Sequence, residues 1–257
     1  MSYSAFANYY DYLMKDVNYP ALAQYLRRVL AQLGHTPKLA LDLACGTGSL
    51  TLELKQMGID IYGIDASPDM LSIAQQKAAA AGEEILFLCQ KMQNLDLYGT
   101  IDTVFCTLDS LNHLSGKKEL LKAFQKVSLF LEPNGYFVFD LNTPYKHQHI
   151  LADHTFVYDL DPVYCVWQNL YEERENRVSI SLDFFKREGQ IYRRSHENFY
   201  EYAYSIDDIR SLLELSGLQM RAVYEDCTFN VPTDHTERIL VVSEKSSAKN
   251  MEKVIDK

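Results

Sequence analysis

The chain has 257 residues, of which 47% are hydrophobic, and a formal net charge of −10 at pH 7. This length can enclose a full α/β core, no run approaches the ~20 apolar residues of a membrane-spanning helix, and the negative charge disfavours nucleic-acid binding. The N-terminal residues form no signal-peptide pattern and the five cysteines form no Cys-x-x-Cys pair, so we expect a cytoplasmic protein with buried thiols and no metal site.

The first segment of the chain is rich in aromatic residues, from Tyr3 to Tyr19. These rings either line a ligand pocket or pack against the core, and the composition leaves both interpretations open. Pro20 favours the first turn of a helix, and the apolar residues after it repeat at helical spacing until Gly34. The pattern therefore predicts an aromatic stretch followed by one amphipathic helix.

A strand, a glycine turn and a helix follow in that order. Leu39–Leu43 is a short apolar run, Gly46-Thr-Gly48 forms the turn, and helical spacing continues to Gly58. Glycine lacks a Cβ, so the backbone can approach a ligand closely, and the helix N-terminus offers free N–H groups. This order predicts a nucleotide-binding corner.

The next strand, Ile59–Asp65, ends in an acid that lies nineteen positions after Gly46. An acid at about this distance can accept both hydroxyls of a ribose. The dinucleotide motif requires a third glycine three positions after Gly48, where this chain has Thr51. We therefore disfavour an NAD(P)-dependent oxidoreductase. The sequence also lacks a Tyr-x-x-x-Lys pair in a convincing position for a hydride-transfer site.

Helices and strands continue to alternate up to residue 140, which predicts a parallel doubly wound sheet. The predicted elements are a helix capped by Ser67, strands at Ile85–Gln90, Ile101–Leu108 and Tyr136–Asp140, and a helix at Lys117–Leu131. The loop Asp109-Ser-Leu-Asn-His113 follows a central strand, where ligands bind in open α/β sheets. Asp109 and His113 are therefore candidates to face a substrate, although Asp109 could instead cap a helix.

From about Tyr145 to Tyr204 the pattern changes to extended runs without helices. The predicted strands are Phe156–Leu160, Val163–Leu170, Val178–Phe185 and Ile191–Tyr202, which together suggest an antiparallel insert. His196 within the last run is a candidate proton acceptor or a surface histidine. Ser205 then begins a helix that ends at Gly217, two final strands follow at Leu218–Tyr224 and Arg238–Val242, and residues 246–257 are a predicted flexible tail.

The run Leu41-Asp-Leu-Ala-Cys-Gly-Thr-Gly48 resembles the first motif of class I S-adenosylmethionine-dependent methyltransferases, and the resemblance extends from about Tyr3 to Lys245. The nearest type is the YqeM-like, small-molecule group related to sugar N-methyltransferases. The resemblance implies a Rossmann-like, doubly wound α/β fold with a mostly parallel seven-stranded sheet whose last strand is antiparallel. Residues 1–144 and 205–245 would form the cofactor domain with an aromatic lid, and residues 145–204 an inserted β lid.

The resemblance also implies which residues contact S-adenosylmethionine. These are Tyr10, Tyr19, Asp42, Ala44, Gly46, Gly48, Asp65, Met70, Gln90, Met92 and Leu108. One position departs from the family pattern, because Lys91 stands where the family has an acid that accepts the adenine amino group. Lysine has no acceptor, so Gln90 is a candidate substitute.

The implied activity is methyl transfer to a small acceptor, at nitrogen or oxygen. If the acceptor arrives protonated, the candidate bases are Asp109, His113 and His196. The remaining alternatives are an oxidoreductase and a non-enzymatic assembly protein that keeps the fold, and the acidity disfavours an RNA substrate. The insert is also a candidate homodimer surface.

Overall fold

The structure is a computed structural model that describes residues 4–246. Tyr3 and all but the first residue of the predicted tail lie outside the described residues. None of the helices within residues 4–246 is long and apolar enough to cross a membrane.

The main sheet has seven strands in the order β3-β2-β1-β4-β5-β11-β10. Their bounds are β1 Leu39–Leu43, β2 Asp60–Asp65, β3 Phe87–Cys89, β4 Ile101–Cys106, β5 Leu131–Asn142, β10 Leu218–Glu225 and β11 Arg238–Lys245. Strands β1 to β5 pair in parallel, whereas β11 is antiparallel to both of its neighbours. The predicted mostly parallel seven-stranded sheet with an antiparallel last strand is confirmed.

Six α-helices accompany the sheet in the described part of the chain. They are α1 Ser4–Leu13, α2 Tyr19–Gln32, α3 Ser49–Gln56, α4 Pro68–Ala80, α5 Lys117–Phe130 and α6 Ile206–Leu215. Three of them begin at a residue whose side chain accepts a backbone N–H, namely Asn18, Ser67 and Ser205. Such caps satisfy amides that the first helical turn leaves unpaired, so the start points follow directly from the sequence.

Both faces of the main sheet are covered, as expected of parallel strands. On one face Leu41, Phe137 and Phe139 pack with α5 and α6. On the other face Ala40 and Phe105 pack with the apolar side chains of α2 and α3. The carboxyl ends of β1, β2, β4 and β5 remain as one common edge, and this edge positions the candidate site.

A second, antiparallel sheet has the order β6-β7-β8-β9. Its strands are β6 Thr155–Asp159, β7 Val163–Glu172, β8 Arg177–Glu188 and β9 Ile191–Tyr202. Alternate residues of β8, from Val178 to Phe184, are fully buried on its inner face. That face also packs against α1, where the ring centroids of Tyr9 and Phe184 are 4.8 Å apart.

Some predicted bounds were wrong. β3 is three residues long rather than Ile85–Gln90, because it is an edge strand that pairs only with Gly63–Asp65 of β2. β4 ends at Cys106 rather than Leu108, since Leu108 and Asp109 both have left-handed backbone angles. Helix α1 and a π-helical turn at Lys146–Leu151 were not predicted.

Candidate active site at the carboxyl edge of the main sheet

The turn between β1 and α3 has backbone angles that favour glycine. Gly46 has φ 54° and Gly48 has φ 73°. A Cβ on Gly48 would lie 2.8 Å from the Cβ of Ala74 in α4, closer than real Cβ atoms approach. Gly48 therefore permits α4 to pack directly against the turn, while Ala44 adopts φ 62° at the start of the same turn.

Asp65 at the end of β2 closes this corner. Its Oδ2 accepts the Gly46 N–H at 2.9 Å and its Oδ1 accepts the Ser67 N–H at 2.8 Å. Burial raises the pKa of Asp65, although these backbone N–H groups counteract the effect. Each carboxylate oxygen has a further lone pair, so Asp65 can accept two more hydrogen bonds, as a ribose diol requires.

Thr51 occupies the position of the third glycine, and its side chain makes a buried hydrogen bond. Thr51 is fully buried, and its Oγ1 donates to Oδ2 of Asp42 at 2.6 Å. Asp42 is 2% exposed, and burial raises its pKa to about 7, although the Thr51 hydroxyl counteracts this shift. The motif acid Asp42 on β1 is thus linked to helix α3 through Thr51.

Two tyrosines from the N-terminal segment cover the corner. Tyr10 and Tyr19 line a narrow cleft of about 20 Å³ together with Asp42, Ala44 and Leu108. Burial raises the pKa of Tyr19 to about 12 and also raises that of Tyr10. The structure therefore brings together the five predicted cofactor residues that line this cleft.

A lysine on α4 links helix α1 to the glycine turn through hydrogen bonds. Lys77 Nζ on α4 donates to Asp11 Oδ1 at 2.8 Å, to Thr47 Oγ1 at 2.9 Å and to Ser49 Oγ at 2.8 Å. Thr47 Oγ1 also donates to Asp11 Oδ1 at 2.8 Å. These bonds hold the N-terminal helix over the glycine turn, and the sequence patterns did not predict them.

The residues predicted beside an adenine lie along the ends of β2 and β3. Met70 on α4 is buried, and Met92 begins a short 3₁₀ helix and packs partly against the core. Gln90 Oε1 accepts the Asp96 N–H at 2.9 Å, and Gln90 Nε2 donates to the Asp96 carbonyl at 3.0 Å. Each end of this amide retains one further hydrogen-bonding position, so these bonds leave Gln90 able to contact an adenine. Lys91 is exposed.

The loop after β4 contains two consecutive left-handed residues, Leu108 with φ 57° and Asp109 with φ 55°. Both of their N–H groups donate to the Asp140 carboxylate, at 2.8 Å and 2.6 Å. Arg238 from β11 bonds Asp109 at 2.7 Å and Asp140 at 3.1 Å. Left-handed angles cost energy outside glycine, and these bonds hold the loop in that conformation.

The charge on Asp109 is fixed by its neighbours. Burial alone would raise its pKa, but the Arg238 guanidinium, aided by Lys146 and His113, lowers it to about 2. Asp109 is therefore ionised at neutral pH. A carboxylate with so low a pKa is a weak proton acceptor, so it is better suited to orient a partner than to remove a proton.

His113 and Glu201 approach Asp109 from two different elements. One ligand atom from each of these three residues lies within 4.8 Å of the others. His113 ends the 3₁₀ helix Ser110–His113, and its ring centroid lies 5.2 Å from that of Phe199 in β9. Glu201 in β9 is 3% exposed and accepts a hydrogen bond from Asn142 Nδ2 at 2.9 Å. The insert therefore contributes directly to this edge.

His196 lies away from this cluster, on the outward face of the insert. It is exposed, its Nδ1 is 3.0 Å from Asp183 Oδ1, and its Nε2 is 2.7 Å from Asn198 Nδ2. Successive side chains along a strand point to opposite faces of the sheet. Because Glu201 is an odd number of residues from His196, the two side chains face opposite sides. The geometry does not support the predicted role of His196 as a base.

Comparisons with known proteins agree with this geometry. Residues 40–135 match the family described as a methyltransferase domain. The chain is 32% identical to "Putative methyltransferase YqeM" of Bacillus subtilis (strain 168), over 96% of this chain and 98% of that protein. The crystal structure of an S-adenosylmethionine-dependent methyltransferase from Clostridium acetobutylicum ATCC 824 aligns with TM-score 0.86 and 32% identity, over 95% and 99% of the chains. The chain belongs to the S-adenosylmethionine-dependent methyltransferases.

A more distant likeness concerns the fold alone. The sugar N-methyltransferase KedS8 from Streptoalloteichus sp ATCC 53650 aligns with TM-score 0.76 and 21% identity, over 92% of this chain and 91% of that one. The relatives that are 32% identical confirm the predicted resemblance to S-adenosylmethionine-dependent methyltransferases, and with it S-adenosylmethionine as the cofactor. The protein is a methyltransferase rather than an NAD(P)-dependent oxidoreductase or a non-enzymatic assembly protein.

The corner fits this cofactor by its donor set. Asp65 keeps lone pairs that can accept hydrogen bonds from a diol. Gly46 has a left-handed conformation and faces the Tyr10 ring, because a Cβ added to Gly46 would lie 3.9 Å from Tyr10 Cε1. Aromatic rings attract a sulfonium cation. The same residues that close the cleft are thus chemically suited to the methyltransferase cofactor.

Four residues of the candidate site were not predicted from the sequence. They are Asn142 at the end of β5, Lys146 in the π-helical turn, Glu201 in β9 and Arg238 in β11. The sequence contains one signal for these residues. Glu201 alternates with Phe199 and Ala203, and all three are buried on the same side of the chain. An acid in a buried position needs a partner, but the sequence does not identify which one.

Proposed function

We propose that this methyltransferase transfers a methyl group to a nitrogen or oxygen of a small polar acceptor. One observation carries the proposal, namely that polar side chains from β4, β5 and the insert converge beside the cofactor corner. The convergent residues are Asp109, His113, Lys146 and Glu201. A sugar N-methyltransferase is among the proteins of similar fold, and this supports a small-molecule acceptor.

The cofactor supplies a methyl group on a positively charged sulfur, and the chain supplies the geometry around it. Asp65 would hold the ribose, the turn at Gly46 and Gly48 would lie along the methionine part, and Tyr10 and Tyr19 would exclude water. Positioning two reactants in line can lower a barrier by about 7–11 kcal/mol at best. Little covalent help is therefore needed from the protein.

His113 is the residue best suited to take a proton from the acceptor. It lies beside Asp109 and Glu201, and it lowers the pKa of both Asp109 and Asp65. Asp109 is held ionised by Arg238 at 2.7 Å. We assign Asp109 to orientation and His113 to proton acceptance.

A screen with labelled S-adenosylmethionine tests this function. The full chain is incubated with a metabolite extract, and transfer of the labelled methyl group to small molecules is followed by mass spectrometry. We expect one class of amine or hydroxyl product, and a loss of about 10²–10⁴ in rate for His113→Ala, as for removal of a general base. The exposed His154→Ala is the matched control. Label that appears only on macromolecules, or an unchanged rate for His113→Ala, would contradict the proposal.

A further inference from the structure

Two histidines at the acceptor edge, one partly buried and one fully buried, have buried nitrogen atoms without a hydrogen-bond partner. Within residues 4–246, four buried side-chain atoms lack such a partner, and three of them are His113 Nδ1, His147 Nδ1 and His147 Nε2. His147 is fully buried, and its Nε2 is 3.4 Å from Glu201 Oε2, too oblique or distant for a good bond. Buried polar atoms without partners are rare and point to a ligand.

One of these histidines belongs to a set of side chains that could ligate a metal, and the other contacts that set through Glu201. Asp109, His113 and Glu201 each offer one ligand atom, and the three atoms lie within 4.8 Å of one another. Atoms that bind one cation at about 2.0–2.2 Å are separated by no more than roughly 4.4 Å. Side-chain adjustments of a few tenths of an ångström would therefore bring all three into one coordination sphere.

The charge at this edge favours a cation. Three carboxylates, Asp109, Asp140 and Glu201, face two cationic side chains, Lys146 and Arg238. The cations are already engaged, since Lys146 Nζ donates to Asn142 Oδ1 at 3.0 Å and Arg238 bonds Oδ1 of Asp109. Oδ2 of Asp109 therefore keeps its lone pairs for a ligand.

The supporting contacts resemble those that orient metal ligands. Asn142 Nδ2 donates to Glu201 Oε2 at 2.9 Å, and His147 Nε2 lies 3.4 Å from the same oxygen. Partners of this kind fix the direction of a ligating carboxylate. Asp109 and His113 are only partly buried, so the cluster stays open on the side from which an acceptor would arrive.

We propose that Asp109, His113 and Glu201 form a binding site for a divalent first-row metal ion, with His147 and Asn142 as its supporting shell. Two carboxylates suit Mn²⁺, and the one imidazole also suits other first-row divalent cations. Such a site would take an acceptor that chelates a cation, for example a vicinal diol or an amino alcohol. This last assignment rests on the proposed function, whereas metal binding itself does not. An imidazole that ligates a metal has no lone pair left for a proton, so the base role of His113 applies to the metal-free chain.

Binding of Mn²⁺ alone tests the site. The full chain is stripped with a chelator and titrated without cofactor or acceptor, by calorimetry and by loss of the free Mn²⁺ electron-paramagnetic-resonance signal. We use Mn²⁺ because the five cysteines would compete for softer ions. One bound equivalent per chain is expected. Asn142→Ala should lower the affinity within the 10–100-fold range typical of supporting partners, whereas His113→Gln and Glu201→Gln, which remove a ligand, should each lower it by more than Asn142→Ala does.

The control is a histidine–carboxylate pair at the surface. His196 lies 3.0 Å from Asp183, and His196→Gln should bind Mn²⁺ as the unmodified chain does. Thermal melting of every variant checks that it is folded. Absence of binding, or equal affinity of a folded His113→Gln, overturns the metal site without affecting the methyl-transfer screen. Failure of that screen with Mn²⁺ bound would overturn the proposed function alone.

Discussion

A single buried acid, Asp42, makes the stability of the cofactor corner depend on pH. Its carboxyl group is 2% exposed and is paired with Thr51 at 2.6 Å. Burial raises its pKa to about 7 in the folded chain, whereas an unfolded aspartate titrates near 3.9. Between these values the folded state retains a proton that the unfolded state releases.

We expect Asp42→Asn to reduce the pH dependence of folding. The folded chain binds more protons in this window, so its free energy of unfolding should fall by about 2–3 kcal/mol between pH 5 and pH 8 because of Asp42. The amide cannot ionise, and the variant should lose this part of the slope. Urea unfolding at both pH values measures the effect, and an equal slope in both proteins would refute the assigned pKa.

Asp65 offers a direct test of the ribose contact. We expect Asp65→Ala to weaken S-adenosylmethionine binding by roughly 10–150-fold, since hydrogen bonds to a charged group contribute about 1.5–3 kcal/mol. Isothermal calorimetry measures the affinity. Asp60→Ala, an exposed acid at the start of the same strand, serves as the control and should bind normally. An unchanged affinity in Asp65→Ala would remove the ribose assignment.

At the scale of elements, the packing of α4 on the glycine turn depends on one missing methyl group. We expect Gly48→Ala to destabilise the fold by about 1–3 kcal/mol more than Gly34→Ala. Both positions have positive φ, at 73° and 69°, but only at Gly48 would the new Cβ lie 2.8 Å from Ala74 Cβ. Urea unfolding of the two variants separates the clash from the backbone strain, and equal losses would show that α4 can shift.

Elements with local signals were predicted well from the sequence. β1 and β9 have the predicted bounds, and Ser205 begins α6 through a capping box. Helix α1 was missed because its aromatic residues resemble an extended lid as much as a helix, and its position depends on contact with the insert. Local patterns therefore determined where elements begin, but not how the N-terminal segment docks.

The contacts of the candidate site also fall into two groups, those that a local sequence pattern predicts and those that it does not. The glycine turn and Asp65 are close in sequence and share a motif, so their pairing through the Gly46 N–H at 2.9 Å was foreseeable. Arg238 and Asp109 are far apart in sequence, and only the antiparallel pairing of β11 with β5 brings them to 2.7 Å. Glu201 arrives with the insert. Contacts of this kind depend on topology rather than on local pattern.

At the scale of the whole molecule, the outward face of the insert remains a candidate homodimer surface. Among the described residues, half of the twelve exposed large hydrophobic side chains belong to the insert. Five of these six lie on its outward face by strand alternation, namely Val157, Tyr164, Leu170, Tyr192 and Tyr200. Exposed apolar side chains that cluster on one surface mark interaction sites. We expect a dimer in sedimentation velocity that Leu170→Lys with Tyr192→Lys dissociates, whereas Leu129→Lys on α5 does not. A monomer in the unmodified protein would exclude this surface.

Helix α1 has a kinetic consequence for the enzyme. The cleft beneath Tyr10 measures about 20 Å³, whereas small-molecule pockets measure several hundred, so we expect α1 to move when the cofactor enters. The bonds from Lys77 to Asp11, Thr47 and Ser49 oppose that movement. If the demethylated product leaves by the same opening, we expect release of this helix to limit catalytic turnover.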